Sequence, residues 1–557
     1  MAKAKRTNPV TLRRGMAIGT GNAETDDEFL FDCFVHYPPV DECIRIQSSG
    51  MILAGRTGSG KTAILRHIER NNASATSIDP IEMSMNYVAN SDALRFLIAI
   101  GADLDLLFQV LWKHVLCIEF IRLRWSVENE TKSRSVFNNL IAPFIKDDRK
   151  ARSIKYLREW EGKFWITMDQ NIKELTETVE RKLHLELGSE IEKFKAGGQY
   201  DKRMSAEKKS EIVARTKNII NADQLRELHG IVEILAESSH SDDMHKCYLL
   251  IDGLDDRWVE ESIRFRLIRS LISSLRSFRA ISNLKILVAL RTDILERVVQ
   301  ETHDITFQRE KFEDYFIRIR WTKSELKTLI NKRIREMFRR QYTTKQVNFE
   351  DVFTYNIKNK DPFEYIIERT HLRPRDVISF VNECMSAADG QFEVAPTHVY
   401  KAEVEYSRKR RDALEQEWKS AFPNLGKMLK VATAPRHVSP TFNELYECSA
   451  LDDLILEIGT GVRIDFDPIY EMSQAALDER PGSRTTLLNN IIAILYRVGA
   501  IGVKLRPEDR FIYSDSDEPM VSPDLLSSEV KLRIHPMLHA AFRLNDQEAA
   551  KKERVRR

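Results

Sequence analysis

The apolar positions of this chain change pattern along its length. Short unbroken apolar runs with turn or polar ends occur at residues 246–256 (KCYLLIDGLDD) and 284–293 (LKILVALRTD), and short strand-like runs at 50–55 (GMILAG) and 74–80 (SATSIDP). A strand with one wet face alternates apolar and polar residues; an unbroken run predicts burial on both faces, as inside a parallel sheet. Residues 315–321 (YFIRIRW) predict a further strand. The stretch from 81 to about 243 is nearly free of glycine and proline, and its apolar residues recur at helical spacing, as in LRFLIAIGADLDLLFQVLWKHVLCIEFI. A later piece, MDQNIKELTETVERKLHLELGSEIEKF, is charged on most faces and predicts a helical hairpin or coiled-coil arm.

Residues 322–338 (TKSELKTLINKRIREMF) open a helical region with a Thr-x-x-Glu capping pattern, and LRPRDVISFVNEC follows within it. Residues 424–439 have little periodicity and read as a linker. Three helical stretches follow, FNELYECSALDDLILEIG, DPIYEMSQAALDE and SRTTLLNNIIAILYRVG, and then two short strands, AIGVKL and RFIYS. Helices followed by a hairpin are the element order of a winged helix. The expected organisation is an approach segment (1–48), an α/β core (49–322) interrupted by a helical or coiled-coil insert at about 100–243, a helical lid (323–423), the linker, a winged-helix domain (440–546) and a basic tail (547–557).

The chemistry gathers at the ends of the apolar runs. GRTGSGKT, from Gly55 through Arg56, Thr57, Gly58, Ser59, Gly60 and Lys61 to Thr62, matches G-x-x-x-x-G-K-[ST] throughout and is followed by Ala63 on a helix-like stretch. Glycines let backbone N–H groups converge on phosphate oxygens, and the positive end of the following helix adds to that attraction. Lys61 is placed to reach the β- and γ-phosphates and Thr62 to ligate Mg²⁺. Asp252, closing its own strand, is the candidate to hold that ion through water. Asp255, then Asp256, are candidates to orient the attacking water; either could equally be a helix N-cap. Arg291 either senses the γ-phosphate or pairs with a neighbouring acid. Arg373 and Arg375 either reach the nucleotide from the lid or make an ion pair with Asp376.

Composition narrows this further. At 557 residues the chain is long enough for three or four units. Lys+Arg at 86 against Asp+Glu at 84 leaves a net charge of +2, so bulk charge does not mark a nucleic-acid binder. Local candidates for DNA contact are Arg484, Thr485, Asn489 and Arg497 on the third helical stretch, and the cluster Arg408, Lys409, Arg410 and Arg411, which also fits a solvated helix face. The six cysteines are scattered without a C-x-x-C pair, the pattern of reduced thiols in a cytoplasmic protein. The most apolar long segment carries Lys113 and His114 near its middle and reads as a buried helix rather than a membrane span. His535 and His539 lack a nearby third ligand and read as packing residues.

Together, GRTGSGKT, LLIDGLDD, ALRTD, RPRDVISFVN and the LYRVGAIGVK…IHPMLH tail resemble bacterial P-loop ATPases of the AAA+/STAND/KAP assemblage that end in a winged helix. The resemblance spans nearly the whole chain outside the helical insert. It implies an α/β P-loop core with a Rossmann-like three-layer sheet, a helical lid, ATP and Mg²⁺ as ligands, and slow or activator-dependent hydrolysis. Typical AAA+ proteins place Glu directly after the Mg²⁺ aspartate; Gly253 stands there, and DGLDD is similar to the DGLDE of NACHT-type and the DDLDR of KAP-type members. That favours Asp255 as the base and a switch over a processive remodeller. Roughly 190 positions separate Lys61 from Asp252, where an ordinary crossover needs far fewer, so the excess reads as a functional insertion.

Proteins of this design resemble components of anti-phage defence, in which the ATPase self-associates and controls a separate nuclease or other effector. Three functions are therefore expected in order: an ATP-driven switch acting on a partner effector; an initiator-like or transposition-helper ATPase that loads on DNA through the winged helix; and an ATP-stabilised interaction scaffold built on the helical insert.

Overall fold

The computed structural model describes residues 11–80, 104–125, 148–160, 222–240, 246–256, 259–302, 313–341, 346–464, 467–506, 508–515 and 520–545, with a few isolated positions between 94 and 181. The chain forms two compact units, one made of Pro38–Gly55 and Ile64–Arg318, the other of Met1–Tyr37, Arg56–Ala63 and Ile319–Arg557. We call them the sheet unit and the helical unit.

The sheet unit is built on five parallel strands: β1 (Ile52–Gly55), β2 (Ala75–Ile78), β3 (Cys247–Ile251), β4 (Leu284–Arg291) and β5 (Phe316–Arg318). Their order is β2-β3-β4-β1-β5. All five residues of β3 and the first seven of β4 are buried, because helices cover both faces. The apolar run of β4 admits one lysine. Lys285 is fully buried, its ammonium donates to the Ser48 carbonyl at 2.9 Å, and burial pushes it down to about 8.

Around the sheet stand α1 (Lys61–Asn71, whose first turn belongs to the helical unit), α2 (Asp105–Trp125), α3 (Asp148–Trp160), α4 (Ala222–His240), α5 (Glu261–Leu275) and α6 (Thr292–Thr302). Helix α2 is apolar nearly all round and shares one hydrophobic core with the strands. Trp112 donates its indole N–H to the Leu267 carbonyl of α5 at 2.9 Å, and His114 bonds the Tyr156 hydroxyl of α3 at 2.9 Å. The described helices of the expected insert are thus core elements of the sheet unit. The predicted arm at 168–194 lies largely outside the described residues.

The helical unit contains α7 (Lys323–Gln341), α8 (Pro374–Ala387), α9 (Pro396–Glu417), α10 (Leu425–Thr433), α11 (Ser449–Gly459), α12 (Tyr470–Leu477) and α13 (Ser483–Arg497), followed by β6 (Ile501–Lys504) and β7 (Lys531–Ile534). The predicted capping box holds: the Glu325 carboxylate accepts from the Thr322 N–H at 2.7 Å, and the Thr322 hydroxyl accepts from the Glu325 N–H at 3.2 Å.

Three boundaries differ from the sequence reading. The approach segment is divided: Leu12, Met16, Ile18, Phe29, Cys33 and Val35 pack into the core of α7, α8 and α9, and Asp26 makes a buried 2.5 Å ion pair with Arg333 of α7. The stretch read as a linker holds α10, whose Leu425, Met428 and Leu429 lie in the same core as α11 and α13. It is only nine residues long, too short for its period to stand out between prolines. The partner of β6 is β7, antiparallel from Ile501↔Ile534 to Lys504↔Lys531, whereas RFIYS contributes a single bridge, Val503↔Ile512.

Candidate functional site

Two groups of predicted residues occur, one in each unit. In the sheet unit the parallel order decides the matter. Gly55 at the end of β1 pairs in register with Arg291 at the end of β4, and β3, ending at Ile251, lies on the other side of β4. The start of the glycine-rich loop, Arg291 and the stretch beginning at Asp252 therefore leave the carboxyl ends of three adjacent strands, the edge where ligands of open α/β sheets bind. Arg291 donates to both oxygens of Asp293, at 2.9 and 2.7 Å, and lies 3.4 Å from Asp255. Pairing with a neighbouring acid, one of the two roles open to Arg291, is thus observed. The Asp252 carboxylate accepts from the Gly253 N–H at 3.0 Å; Gly253 turns the chain at φ +74°. The carbonyls of Asp255 and Asp256 both accept from Arg264, which fixes the DGLDD turn; Asp256 is exposed and Asp255 half-buried.

In the helical unit, residues 56–63 form a loop opening into α1. Gly58 and Gly60 have φ of +77° and +100°, conformations costly for any other residue. A Cβ on Gly58 would stand 2.6 Å from Cβ of Arg375. Lys61 donates to the Arg56 carbonyl at 3.2 Å. The hydroxyls of Thr57 and Ser59 are buried without a hydrogen-bond partner among the described residues, and Ser59 is only 3% exposed. Buried hydroxyls left open beside two left-handed glycines and a lysine fit a ligand rich in acceptor oxygens.

The lid arginines hold the protein's own groups. Arg373, just ahead of α8, donates to the Thr57 carbonyl at 2.9 Å and pairs with Glu417 at 3.1 Å and Asp376 at 3.0 Å. Burial alone would lower its pKa, but Asp376 and Glu417 outweigh that and hold it above the ordinary value. Asp376 is fully buried; burial raises its carboxyl, and Arg373 and Arg410 outweigh this and hold it far below the usual range. Arg375 donates to the Gly21 carbonyl at 2.9 Å, and its N–H reaches the Gly58 carbonyl at 3.3 Å.

Several participants were not read from the sequence. Glu417, at the end of α9, accepts the Thr57 N–H at 3.2 Å. His371 accepts at Nδ1 from both Arg56 and Arg373, each at 3.2 Å, and meets the Gly499 carbonyl at 3.0 Å through Nε2. Guanidiniums only donate, so the ring is the neutral Nε2–H tautomer. Burial, then Arg56 and Arg373, push its pKa well below the ordinary value. Trp321 donates its indole N–H to the Ser59 carbonyl at 2.8 Å. A His, a Glu or a Trp hundreds of positions from the loop carries no local signal; only LRPRD pointed to this neighbourhood.

Four of the arginines considered for DNA contact make ion pairs within the chain. Arg484 pairs with Asp452 at 2.6 Å, Arg408 with Glu405 at 2.7 Å and Arg411 with Asp412 at 2.7 Å, while Arg410 is buried against Asp376. The Arg497 carbonyl accepts from Arg56. His535 is buried, accepting the Met537 N–H, and His539 meets the Ile534 carbonyl, as packing residues do.

Residues 324–415 match the FunZ-associated C-terminal helical domain. The chain is also similar to a protein of Escherichia coli (strain K12) provisionally named as a transposon gamma-delta 80.3 kDa protein, with 23% identity over 333 residues. The matched stretch is 58% of this chain and 43% of that protein. No solved structure matches. No helix among the described residues is long and apolar enough to cross a membrane.

Proposed function

We propose that this chain is an ATP-binding and hydrolysing switch of the P-loop type. The observation that carries the reading is the strand order: β3, β4 and β1 lie side by side and parallel, so residues far apart in sequence leave one sheet edge. In this reading the amides of residues 58–62 and Lys61 hold the phosphates, with the open hydroxyl of Ser59 among their partners. Thr62 and Asp252 are the residues that would hold Mg²⁺. Asp255 orients water, and Arg291, 3.4 Å away, holds that carboxylate in place. ATP with Mg²⁺ supplies a phosphoanhydride whose cleavage drives the switch.

The elements α11 to α13 with β6 and β7 have the order of a winged helix, and we take them as the switch's output domain. The relative's name draws the setting towards the transposition-helper alternative, an ATPase serving a mobile element; anti-phage defence has no such support here. Lys61→Ala is expected to abolish ATP binding measured by calorimetry. Asp255→Asn should bind ATP and lose turnover by tenfold or more. Wild-type hydrolysis by Asp255→Asn would refute the base; full ATP affinity in Lys61→Ala would refute the site.

A further inference from the structure

Arg56 stands second in the glycine-rich loop, at a position the motif leaves unspecified. Glu417, Asp515 and Asp376 lie near enough to favour its charge, but its hydrogen bonds run to other groups. It donates to the Arg497 carbonyl at 2.7 Å, to the Ser514 hydroxyl at 3.2 Å and to Nδ1 of His371 at 3.2 Å, and it lies 5.9 Å from the centre of the Trp418 ring. Arg497 ends α13, and Ser514, which itself donates to the Arg497 carbonyl at 3.1 Å, belongs to the segment that bridges to β6. The loop is thus bolted to the turn between the last helix and the hairpin of the C-terminal domain.

The turn is shaped for that bolt. Gly499 has φ +82°, and a Cβ there would stand 2.7 Å from the Arg56 guanidinium and 2.9 Å from His371. His371 reaches the Gly499 carbonyl with one ring nitrogen and accepts Arg56 with the other, so helix end, lid and loop meet on two side chains. The Arg56 carbonyl is in turn the group on which Lys61 rests. Whatever fixes Arg56 fixes the carbonyl that positions Lys61.

We infer that Arg56 couples the phosphate loop to the C-terminal domain, so that ATP affinity depends on how the 497–499 turn is seated and ATP binding reports back to that turn. The inference rests on the ATP-binding reading above. Coupling of this kind is reciprocal: a change at the turn that alters ATP affinity requires ATP to alter the turn by the same free energy. The clasp preorganises the loop, so breaking it weakens binding.

The test uses the full chain and Mg-ATP. Gly499→Ala, far from the phosphates in sequence and outside the binding loop, is expected to weaken ATP binding roughly 5-fold or more. Ser514→Ala, a milder change that leaves the turn's backbone intact, should weaken it in the same direction. Amide hydrogen exchange at residues 497–503 should change on adding saturating Mg-ATP to the wild type, and should not change in Arg56→Ala at ATP concentrations that saturate that variant. Folded Gly499→Ala and Ser514→Ala proteins with wild-type ATP affinity would overturn the coupling, as would wild-type ATP binding with no change at 497–503. A wild type that binds no ATP overturns the ATPase reading itself, and the coupling with it.

Discussion

Arg291 and Arg373 each hold two carboxylates, yet they sit in different physical worlds. Arg291, at the end of β4, is 21% exposed and its partner Asp255 is 28% exposed. Arg373 is 6% exposed, with Asp376 at 0% and Glu417 at 7%. Water beside the first cluster keeps exchange of the Arg291–Asp255 contact cheap, as the proposed reaction requires. The second cluster has no solvent to fall back on, and each charge there is fixed by its neighbours. Chemistry suits the first; holding the loop through Thr57 suits the second.

The largest expected effect breaks the buried cluster. Asp376→Asn leaves the Arg373 and Arg410 guanidiniums without their shared carboxylate and should cost about 3–5 kcal/mol in urea unfolding. A loss below about 1 kcal/mol would mean that the cluster is as forgiving as the strand-end one.

Acid sharpens the contrast at intermediate size. Burial holds His114 in the sheet unit and His535 in the helical unit at about 3. A histidine depressed in the folded state binds its proton preferentially when unfolded, so stability falls as pH drops below about 6.5 and the loss continues towards the folded value. Each should cost about 2 kcal/mol between pH 7 and pH 5. Asp376 adds nothing to the slope between pH 7 and pH 5, where it is ionised folded and unfolded alike; below about pH 4, where only the unfolded chain takes up its proton, it adds to the loss. His371 is held low as well, so stability curves for His535→Gln should lose about a third of the acid slope; an unchanged slope would show that His535 is not a neutral buried group.

The smallest stability effect belongs to Arg291. Arg291→Ala should cost about 1–2 kcal/mol: the Asp255 pair is partly screened by water, but the buried Asp293 loses its guanidinium. Its ATP turnover should nevertheless fall tenfold or more while the fold, read by circular dichroism, is unchanged. Loss of stability with full turnover would reverse the roles assigned to the two clusters.

Much of the architecture was legible because it is local. Unbroken apolar runs announced β3 and β4, a strand-like run announced β1, the capping pattern announced α7, and GRTGSGKT announced a loop with left-handed glycines. The failures have equally local causes. Helix α10 is nine residues between prolines, and β7 is a four-residue KLRI whose pattern is no stronger than that of RFIYS, so only pairing could choose between them.

By itself, the sequence determined where a glycine-rich turn before a helix, its lysine and the strand-ending acids stand, the residue types on which the proposed phosphate site rests. It could not determine the strand order that brings the ends of β3, β4 and β1 to one edge, because parallel pairing is chosen by packing between segments hundreds of positions apart. Nor could it show that Arg56 reaches the Gly499 turn or that Glu417 takes a loop amide. Those choices are made by burial: once the helical unit closes, each donor and charge inside it must find a partner within the protein.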